Sequence, residues 1–441
     1  MKKIFLALFP IGVGAAMVFW YFDCVNAPMG SLFSDASGLL LALGRLAGLL
    51  AAAGILAQLL LVSRAKWLEP LFGLDHLTRA HHLSGLVIPL ALVLHPILIT
   101  MYHAGQGGVS FMTQFRAILG WEDTLAAGAG VLLIIGPVIM SLPFARRFSY
   151  EIWHSSHLFL YAGFGLAVGH QLELGGDING NPYFAGTWYA LYVFVLANLL
   201  WGRVLKPLWL YRRHRFTVEK IMPEATEVES IWVTGRGLAA LPAESGQFAL
   251  LRFWGPGFRT QAHPFSISRM PDGKYLRFSI KKLGDFTAAV HHSLRPGAPV
   301  IIDGPHGVFT EKKCLGDKAL LIAGGIGITP LSSLAERFQS LGKNCVLLYA
   351  NRSQKDIVFR RELRELEQKG GFSVHHVLSS EPGWPGEKGY LDAERIKRLV
   401  PDFAERDAFL CGPPPMLAAV KASLISLGLS KTRIHFEIFS L

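Results

Sequence analysis

Four histidines lie in two apolar stretches of the sequence, two in each stretch and at nearly equal spacing. His81 and His95 are 14 residues apart (95 − 81), and His157 and His170 are 13 apart (170 − 157). At ~1.5 Å rise per helical residue, each pair spans roughly 20 Å. Ionisable side chains inside an apolar helix are costly and usually mark function. Because imidazole is a common metal ligand, the spacing indicates two metal centres at two depths of a membrane.

Two helices running in the same direction and carrying these pairs would hold two haems, each ligated by one imidazole from each helix. The 13-residue spacing leaves His170 far round from His157 on an ideal helix, so a local distortion near the glycines of that stretch is expected. Two alternatives stay open. His82 could replace its neighbour His81 as a ligand, and any single histidine could serve as a hydrogen bond between helices.

The composition is that of a membrane protein with a polar second half. Of 441 residues, 51% are hydrophobic and only 17% are charged. The net charge of +11 comes without a basic cluster interleaved with aromatic residues, so a role in nucleic-acid binding is not expected. The four cysteines have neither disulfide-framework nor zinc-site spacing.

Six apolar stretches are predicted to cross a membrane. They run approximately over 4–22, 37–62, 81–102, 124–142, 152–170 and 185–205. The loops at 23–36 and 171–184 contain no lysine or arginine, whereas the alternate loops are basic, which predicts a multi-pass protein of the cytoplasmic (plasma) membrane with both termini cytoplasmic. The first stretch follows Lys2 and Lys3 and also fits a cleaved signal peptide.

After Arg215 the pattern changes to short alternating segments separated by glycine and proline, which predicts a small β-barrel. From about Lys318 apolar strands alternate with glycine turns and helices, which is typical of a Rossmann-like parallel sheet. We therefore expect three domains: a transmembrane haem-binding domain (1–210), an FAD-binding barrel (211–312) and an NAD(P)-binding α/β domain (313–441).

Five short motifs punctuate the second half: HPFSIS (263–268), LGDFT (283–287), DGPHG (303–307), AGGIGITP (323–330) and CGPPPM (411–416). The first offers hydroxyls beside an aromatic ring, as a slot for a flat redox ring requires. The fourth is a glycine turn between strand and helix, where backbone N–H groups can meet a pyrophosphate. Each motif alone is also compatible with a purely structural turn or buried strand end.

In this order the motifs resemble the flavin and nicotinamide motifs of the ferredoxin-NADP reductase fold. Together with six helices and paired histidines, the whole chain resembles the ferric reductase / NADPH oxidase superfamily, in its compact bacterial form. The resemblance implies FAD, two b-type haems, and NADPH or NADH as cofactors. It pairs His81 with His157 at the inner haem and His95 with His170 at the outer haem.

The resemblance also assigns the other site residues. FAD would be bound by His263, Pro264, Phe265, Ser266, Ile267, Ser268, Gly284, Asp285, Thr287 and Gly304. NAD(P)H would be bound by Gly324, Gly325, Gly327, Ile328, Thr329, Pro330, Gly412, Pro413 and Met416, with Arg352 meeting a 2′-phosphate or remaining in solvent. The residues expected to take part in electron transfer are Cys411 near the nicotinamide, Phe439 stacked on the flavin and Arg45 beside the outer haem.

Two positions depart from the family pattern: His306 replaces an aromatic residue in DGPHG, and Ile99 replaces a histidine of the animal oxidases. The expected activity is electron transfer from NAD(P)H to oxygen or ferric iron across the membrane. The alternatives are a histidine-lined metal or proton transporter with a nucleotide-sensing flavin domain, and a haem-flavin reductase that serves a quinone or a protein partner.

Overall fold

The computed structural model describes residues 2–27, 30–142, 150–254, 258 and 262–438. The chain forms two compact units, one of residues 1–72 and 76–203 and one of residues 73–75 and 204–441.

The regular secondary structure of the first unit consists of helices and the turns between them over the described residues. Its helices are α1 (Lys2–Val25), α2 (Ala36–Leu61), α3 (Glu69–Phe72), α4 (Leu74–Gly107), α5 (Phe111–Ile118), α6 (Thr124–Met140), α7 (Tyr150–Glu173), α8 (Gly176–Gly180) and α9 (Pro182–Leu200). Four helical stretches in the described part of the chain are long and apolar enough to cross a membrane: Ala7–Val25, Ala36–Leu61, His76–Gly107 and Pro182–His214. Helix α6 is apolar but shorter, with 17 residues.

Local signals and small residues explain how these helices begin and pack. The Asp35 carboxylate accepts the Gly38 N–H at 2.6 Å and so caps α2. Helices α6 and α7 meet at Gly130 and Gly163, where a Cβ on Gly130 would lie 2.6 Å from the Gly163 carbonyl oxygen. Small residues at such a crossing let two membrane helices approach closely. A separate core of α1, α2 and α9 buries Leu56 and Trp188.

The second unit contains the strands of the protein. They are β1 (Thr217–Ala225), β2 (Val228–Thr234), β3 (Phe248–Phe253), β4 (His263–Ser266), β5 (Leu276–Lys281), β6 (Val300–His306), β7 (Lys318–Gly324), β8 (Asn344–Asn351), β9 (Phe372–Leu378), β10 (Glu387–Lys388), β11 (Asp407–Cys411) and β12 (Ile434–Glu437). Its helices are α10 (Lys206–His214), α11 (Asp285–Ser293), α12 (Ile328–Ser340), α13 (Arg360–Gln368), α14 (Ala393–Leu399) and α15 (Pro414–Ser426).

Two antiparallel three-stranded sheets, β1–β2–β5 and β4–β3–β6, enclose one apolar core. An isolated bridge between Ile267 and Phe278 connects them. The third sheet has six parallel strands in the order β10–β9–β8–β7–β11–β12, with an apolar core on each face. The order reverses between β7 and β11, so the turns that follow these two strands lie side by side, where α/β sheets bind ligands.

Candidate functional site

The outer histidine pair is brought together by α4 and α7. The ring centroids of His95 and His170 lie 6.2 Å apart, which leaves room between the rings for one metal ion with nitrogen–metal bonds of ~2.0–2.1 Å. The Nδ1 of His95 lies 2.8 Å from the Gly44 carbonyl oxygen on α2. A Cβ on Gly48 would come within 2.7 Å of that same nitrogen, so α2 leaves a space that fits this ring.

The inner pair is His81 on α4 and His157 on α7. The Nδ1 of His157 lies 3.1 Å from the Trp153 carbonyl oxygen, one turn earlier on α7. The neighbouring His82 is exposed, whereas His81 is partly buried and its Nδ1 makes no hydrogen bond within the described residues. Of the two, His81 therefore has the environment of an inward-facing ligand.

The facing rings of His95 and His170 fit the ligation of a haem iron. In His95 the Nδ1–H donates to a backbone carbonyl, which leaves the Nε2 lone pair for a metal. In His157 the Nδ1–H also donates to a backbone carbonyl, and the Nε2 lies 3.5 Å from the Ser141 hydroxyl oxygen. The Nδ1 of His170 is buried without a well-formed hydrogen bond in the described part of the chain. Among the described residues no cluster of three or more histidine, cysteine, aspartate or glutamate side chains is placed to hold a metal ion.

Helix α7 is continuous over Tyr150–Glu173, so the rings of His95 and His170 meet without a break in this helix. Helix α4 instead contains Pro89 and Pro96, where a missing backbone hydrogen bond allows a helix to bend. Whether two histidines on different helices face each other therefore depends on the course of both helices, which the geometry of one ideal helix does not predict.

Arg45 follows Gly44, the residue whose carbonyl oxygen bonds His95, and its guanidinium pairs with the Asp23 carboxylate of α1. Sequence reasoning missed Asp23 as a partner of Arg45, although the predicted loop 23–36 that contained it has no lysine or arginine; the structure places Asp23 in the last turn of α1. The structure places Arg45 one residue from the segment of α2 that contacts the outer histidine.

The first two flavin motifs meet at Phe286. The His263 ring stacks on the Phe286 ring with centroids 4.0 Å apart, and the Phe265 ring lies 6.3 Å from it. Burial lowers the pKa of His263, which favours the neutral ring in this aromatic group. Phe286 belongs to the LGDFT motif, but sequence reasoning assigned a role only to its neighbours.

The LGDFT turn forms the N-terminus of α11. The Thr287 hydroxyl oxygen accepts the N–H groups of Leu283 at 2.8 Å and Gly284 at 3.0 Å, and the hydroxyl donates to the Gly284 carbonyl oxygen at 2.9 Å. Thr287 therefore fixes the turn, while Asp285 occupies the first helical position. A helix N-terminus held in this way presents backbone N–H groups to an anion.

At the third motif, the histidine that replaces the family's aromatic residue is fully buried. The His306 Nε2 lies 3.1 Å from the Asp303 carboxylate, and its ring lies 5.9 Å from Phe248. Gly304 permits this packing, because a Cβ there would lie 2.9 Å from the Ala249 side chain. His306 thus keeps a ring contact with Phe248 and adds a buried hydrogen bond to Asp303.

Arg277 on β5, which sequence reasoning missed, ties the end of the HPFSIS segment to α13. Its guanidinium donates to the Ser268 carbonyl oxygen at 2.7 Å and the Ser268 hydroxyl at 3.1 Å. It also pairs with the Glu362 carboxylate at 2.5 Å and lies 4.2 Å from the centre of the Phe359 ring. The Ser268 hydroxyl also bonds Ser279 at 2.9 Å, so it is engaged within the protein.

We expect Arg277→Met to lower the free energy of unfolding by about 2–3 kcal/mol, because it removes the buried member of an ion pair with the partly exposed Glu362 and leaves the buried Ser268 carbonyl oxygen without its donor. Thermal unfolding followed by tryptophan fluorescence should show a decrease in Tm of about 5–10 °C. The matched control is Arg361→Met on α13, whose side chain is 92% exposed and pairs with Glu365 on the surface. Equal shifts in the two variants would contradict the role assigned to Arg277.

Glu336 on α12 contacts the same segment from the nucleotide side. Its carboxylate accepts the Met270 N–H at 3.1 Å. Burial raises the pKa of Glu336 from its ordinary value of 4.5 to about 7, against the opposite effects of Arg277, the Met270 hydrogen bond and Arg269. A native pKa above the unfolded value means that the native state binds the proton more tightly. The protonated Glu336 carboxyl group therefore stabilises the native state fully below pH ~4.5, and this contribution to the free energy of unfolding decreases as the pH rises to about 7.

We therefore expect Glu336→Gln to flatten this pH dependence, with a gain over the unchanged protein of about 2–3 kcal/mol at pH 8 and little gain at pH 5. Thermal unfolding measured between pH 5 and pH 8 tests the prediction. Glu365→Gln on the exposed side of α13 should leave the pH profile unchanged. A parallel shift of the whole Glu336→Gln profile would show that this carboxyl group does not titrate in the range.

The two nucleotide motifs meet where the strand order of the parallel sheet reverses. A Cβ on Gly327 would lie 2.2 Å from the Cys411 carbonyl oxygen, and one on Gly324 would lie 2.4 Å from the Met416 sulfur. The turn after β7 therefore packs directly on the turn after β11. The Thr329 hydroxyl donates to the Ile326 carbonyl oxygen at 3.0 Å and closes the first turn of α12. Ile328 and Pro330 are buried in the same turn.

The remaining predicted residues differ in their exposure. Cys411 is fully buried at the end of β11, and burial raises the pKa of its thiol well above the ordinary value. Pro413 is exposed next to the buried Gly412, and Arg352 is exposed just after β8. Phe439 lies outside the described residues.

Comparison with known proteins assigns families to three segments. Residues 47–168 match the ferric reductase like transmembrane component, residues 213–310 an FAD-binding domain and residues 321–422 an oxidoreductase NAD-binding domain. The glycine betaine monooxygenase reductase subunit of Pseudomonas aeruginosa is 31% identical over 240 residues, which are 52% of this chain and 65% of that subunit.

Two further relatives are a flavohemoprotein of Candida albicans and a solved cytochrome P450 reductase of Amycolatopsis. The flavohemoprotein is 29% identical over 274 residues, which are 59% of this chain and 68% of that protein. The Amycolatopsis structure covers 51% of this chain and 69% of its own, with 25% identity and a TM-score of 0.47.

Proposed function

We propose that this chain, which is a ferric reductase / NADPH oxidase-type fusion of a membrane component with FAD- and NAD-binding domains, passes electrons from cytoplasmic NAD(P)H to an acceptor outside the membrane. The observation that carries the proposal is the meeting of His95 and His170 in a helical unit that precedes a flavin- and nucleotide-binding unit. The proposed organisation has six spans in residues 1–210, a closed FAD barrel in 211–312 and the NAD(P) domain in 313–441.

The side chains of the second unit would bind and orient the two soluble cofactors. The N-terminus of α11, fixed by Thr287, would meet the FAD pyrophosphate, and His263, Phe265 and Phe286 would form an apolar wall for its ring. The turn at Gly324–Gly327 would let the nucleotide approach the backbone. Buried Cys411 would act there by shape rather than as a thiolate.

In the membrane unit the residues would hold the haems and fix their depth. His81 with His157 and His95 with His170 would supply the axial imidazoles, and the carbonyl groups of Gly44 and Trp153 orient the rings of His95 and His157. Bound FAD would accept the two electrons of a hydride, and the haems would carry these electrons onward one at a time. Phe439 would lie against the flavin, as the family resemblance implies.

The proposed acceptor is molecular oxygen, giving superoxide, or ferric iron. The family resemblance puts Arg45 near the outer haem, where a cation would attract an anionic chelate or stabilise superoxide, and in the structure its guanidinium pairs with the Asp23 carboxylate. The basic loops favour a plasma-membrane orientation with both termini in the cytoplasm. The alternatives remain a histidine-lined metal or proton transporter and a haem-flavin reductase for a quinone or a protein partner.

One anaerobic experiment distinguishes these functions. Purified protein in detergent is titrated with NADPH or NADH while its optical spectrum is recorded. Bleaching of oxidised flavin together with low-spin b-type haem bands, at about two haems per flavin, would support the electron path. Air or ferric citrate added to the same cuvette ranks the acceptors. A spectrum with flavin but no haem would overturn the proposal in favour of transport.

The nucleotide preference can be tested at Arg352. If its guanidinium meets a 2′-phosphate, Arg352→Ala should raise the KM for NADPH roughly 10–100-fold and leave the KM for NADH unchanged. The readout is the initial rate of flavin reduction at varied nucleotide concentrations. Arg361→Ala, which removes an arginine from the exposed side of α13, serves as the control. An unchanged NADPH preference would exclude Arg352 from nucleotide recognition.

A further inference from the structure

Helix α10 and the residues just before it expose an apolar stripe that ends in two arginines. Val204, Leu205, Leu208 and Trp209 are 45%, 44%, 45% and 50% exposed. Arg212 and Arg213 follow four residues after Leu208 and Trp209, and both are exposed. Residues four apart lie on the same face of a helix, so the apolar side chains and the arginines form one continuous surface.

The opposite face of α10 is fixed to the FAD-binding part of the same unit. Pro207, Leu210 and His214 are buried on this face. Leu210 joins the apolar core enclosed by the two antiparallel sheets, and the His214 Nδ1 lies 2.8 Å from the Arg236 carbonyl oxygen. The helix therefore cannot rotate its exposed stripe inward without breaking this packing.

The position of α10 in the chain identifies what covers the stripe. The helical stretch from Pro182 to His214 is apolar enough to cross a membrane, and α10 is its last segment. Exposed leucine and tryptophan beside arginine are the composition of a helix at a membrane surface. The Arg213 guanidinium lies 5.4 Å from the centre of the Trp209 ring, so a cation is held directly beside the aromatic side chain.

The charge favours one kind of lipid. The segment Lys206–His214 contains one lysine and two arginines but no acidic residue, and Arg215 follows it. A second copy packed against this stripe would place like charges together, which disfavours that occupant. Phosphate groups of anionic lipids complement the same charges. We propose that this face of α10 lies in the membrane surface and binds the head groups of anionic phospholipids through Arg212 and Arg213.

The first test measures lipid cover on the stripe with Leu208→Cys. The four native cysteines are free and buried, so a single new thiol gives a clear signal. The full chain is placed in nanodiscs of phosphatidylcholine with phosphatidylglycerol and treated with a water-soluble maleimide. Labelling should be at least ten-fold slower than for Leu315→Cys, whose parent side chain is 88% exposed on the nucleotide-binding part. Equal labelling rates, or protection that increases with protein concentration as a second copy would cause, overturn the proposal.

The second test measures the choice of lipid with the double variant Arg212→Gln, Arg213→Gln. Its affinity for fluorescent phosphatidylglycerol in detergent should fall roughly five-fold per arginine, and binding of phosphatidylcholine should be weak and unchanged. The control is the double variant Arg361→Gln, Arg364→Gln on α13, which changes the net charge by the same amount. The double variant Arg212→Lys, Arg213→Lys should bind phosphatidylglycerol as the unchanged protein does. Equal loss in the control overturns the proposal. Neither readout requires electron transfer, so the result is independent of the proposed activity.

Discussion

The His95→Leu variant is expected to bind about half as much haem as the unchanged protein and to deliver no electrons to an external acceptor. His95 has its Nδ1 bonded to the Gly44 carbonyl oxygen, and its ring lies opposite that of His170. Leucine has a similar volume and cannot ligate a metal, so the helices should still pack. The pair formed by His81 and His157 is on another level and should keep its haem.

Haem content per protein and the optical spectrum after NAD(P)H addition measure this prediction. Flavin bleaching should be retained, because the residues proposed to bind FAD and nucleotide lie in the second unit. His103→Leu is a matched control, since His103 lies on the same helix beside Tyr102 and Trp121 and away from the paired positions. Full haem content in His95→Leu, or an equal loss in His103→Leu, would remove His95 from the set of ligands.

The Gly327→Val variant is expected to reduce its flavin with NAD(P)H at least about 100-fold more slowly than the unchanged protein. A Cβ on Gly327 would lie 2.2 Å from the Cys411 carbonyl oxygen and 2.5 Å from its carbonyl carbon. Both obstacles are backbone atoms at the end of a central strand, so the turn itself must move. That displacement separates the two turns that would flank the nucleotide, and a 1 Å error in position is enough to cost this much.

Stopped-flow measurement of flavin bleaching gives the rate, while flavin and haem contents report whether the rest of the chain is intact. Chemical reduction with dithionite should remain normal, since it bypasses the nucleotide. Gly383→Val is the control, because a Cβ there meets no atom within 4 Å. If Gly327→Val retains the normal rate, the packing of the two turns is not required for hydride transfer.

The order of the motifs and the histidine spacing were readable from the sequence because each depends on local chain chemistry. An apolar strand followed by Gly324, Gly325 and Gly327 predicts a strand, turn and helix, and the structure has β7, a short turn and α12 there. The membrane character of the first half follows in the same way from apolar length, since a helix must satisfy its own backbone in lipid. These features required no knowledge of distant residues.

The three-dimensional packing decided what local periodicity could not. Whether His170 meets His95 depends on two helices at once, and the 13-residue spacing within α7 alone does not determine it. Arg277 and Glu336 belong to no motif in the sequence, yet Arg277 pairs with Glu362, 85 residues away, and Glu336 accepts the N–H of Met270, 66 residues away. Such contacts form between residues far apart in sequence and leave no periodic signal, so only the packed structure shows them.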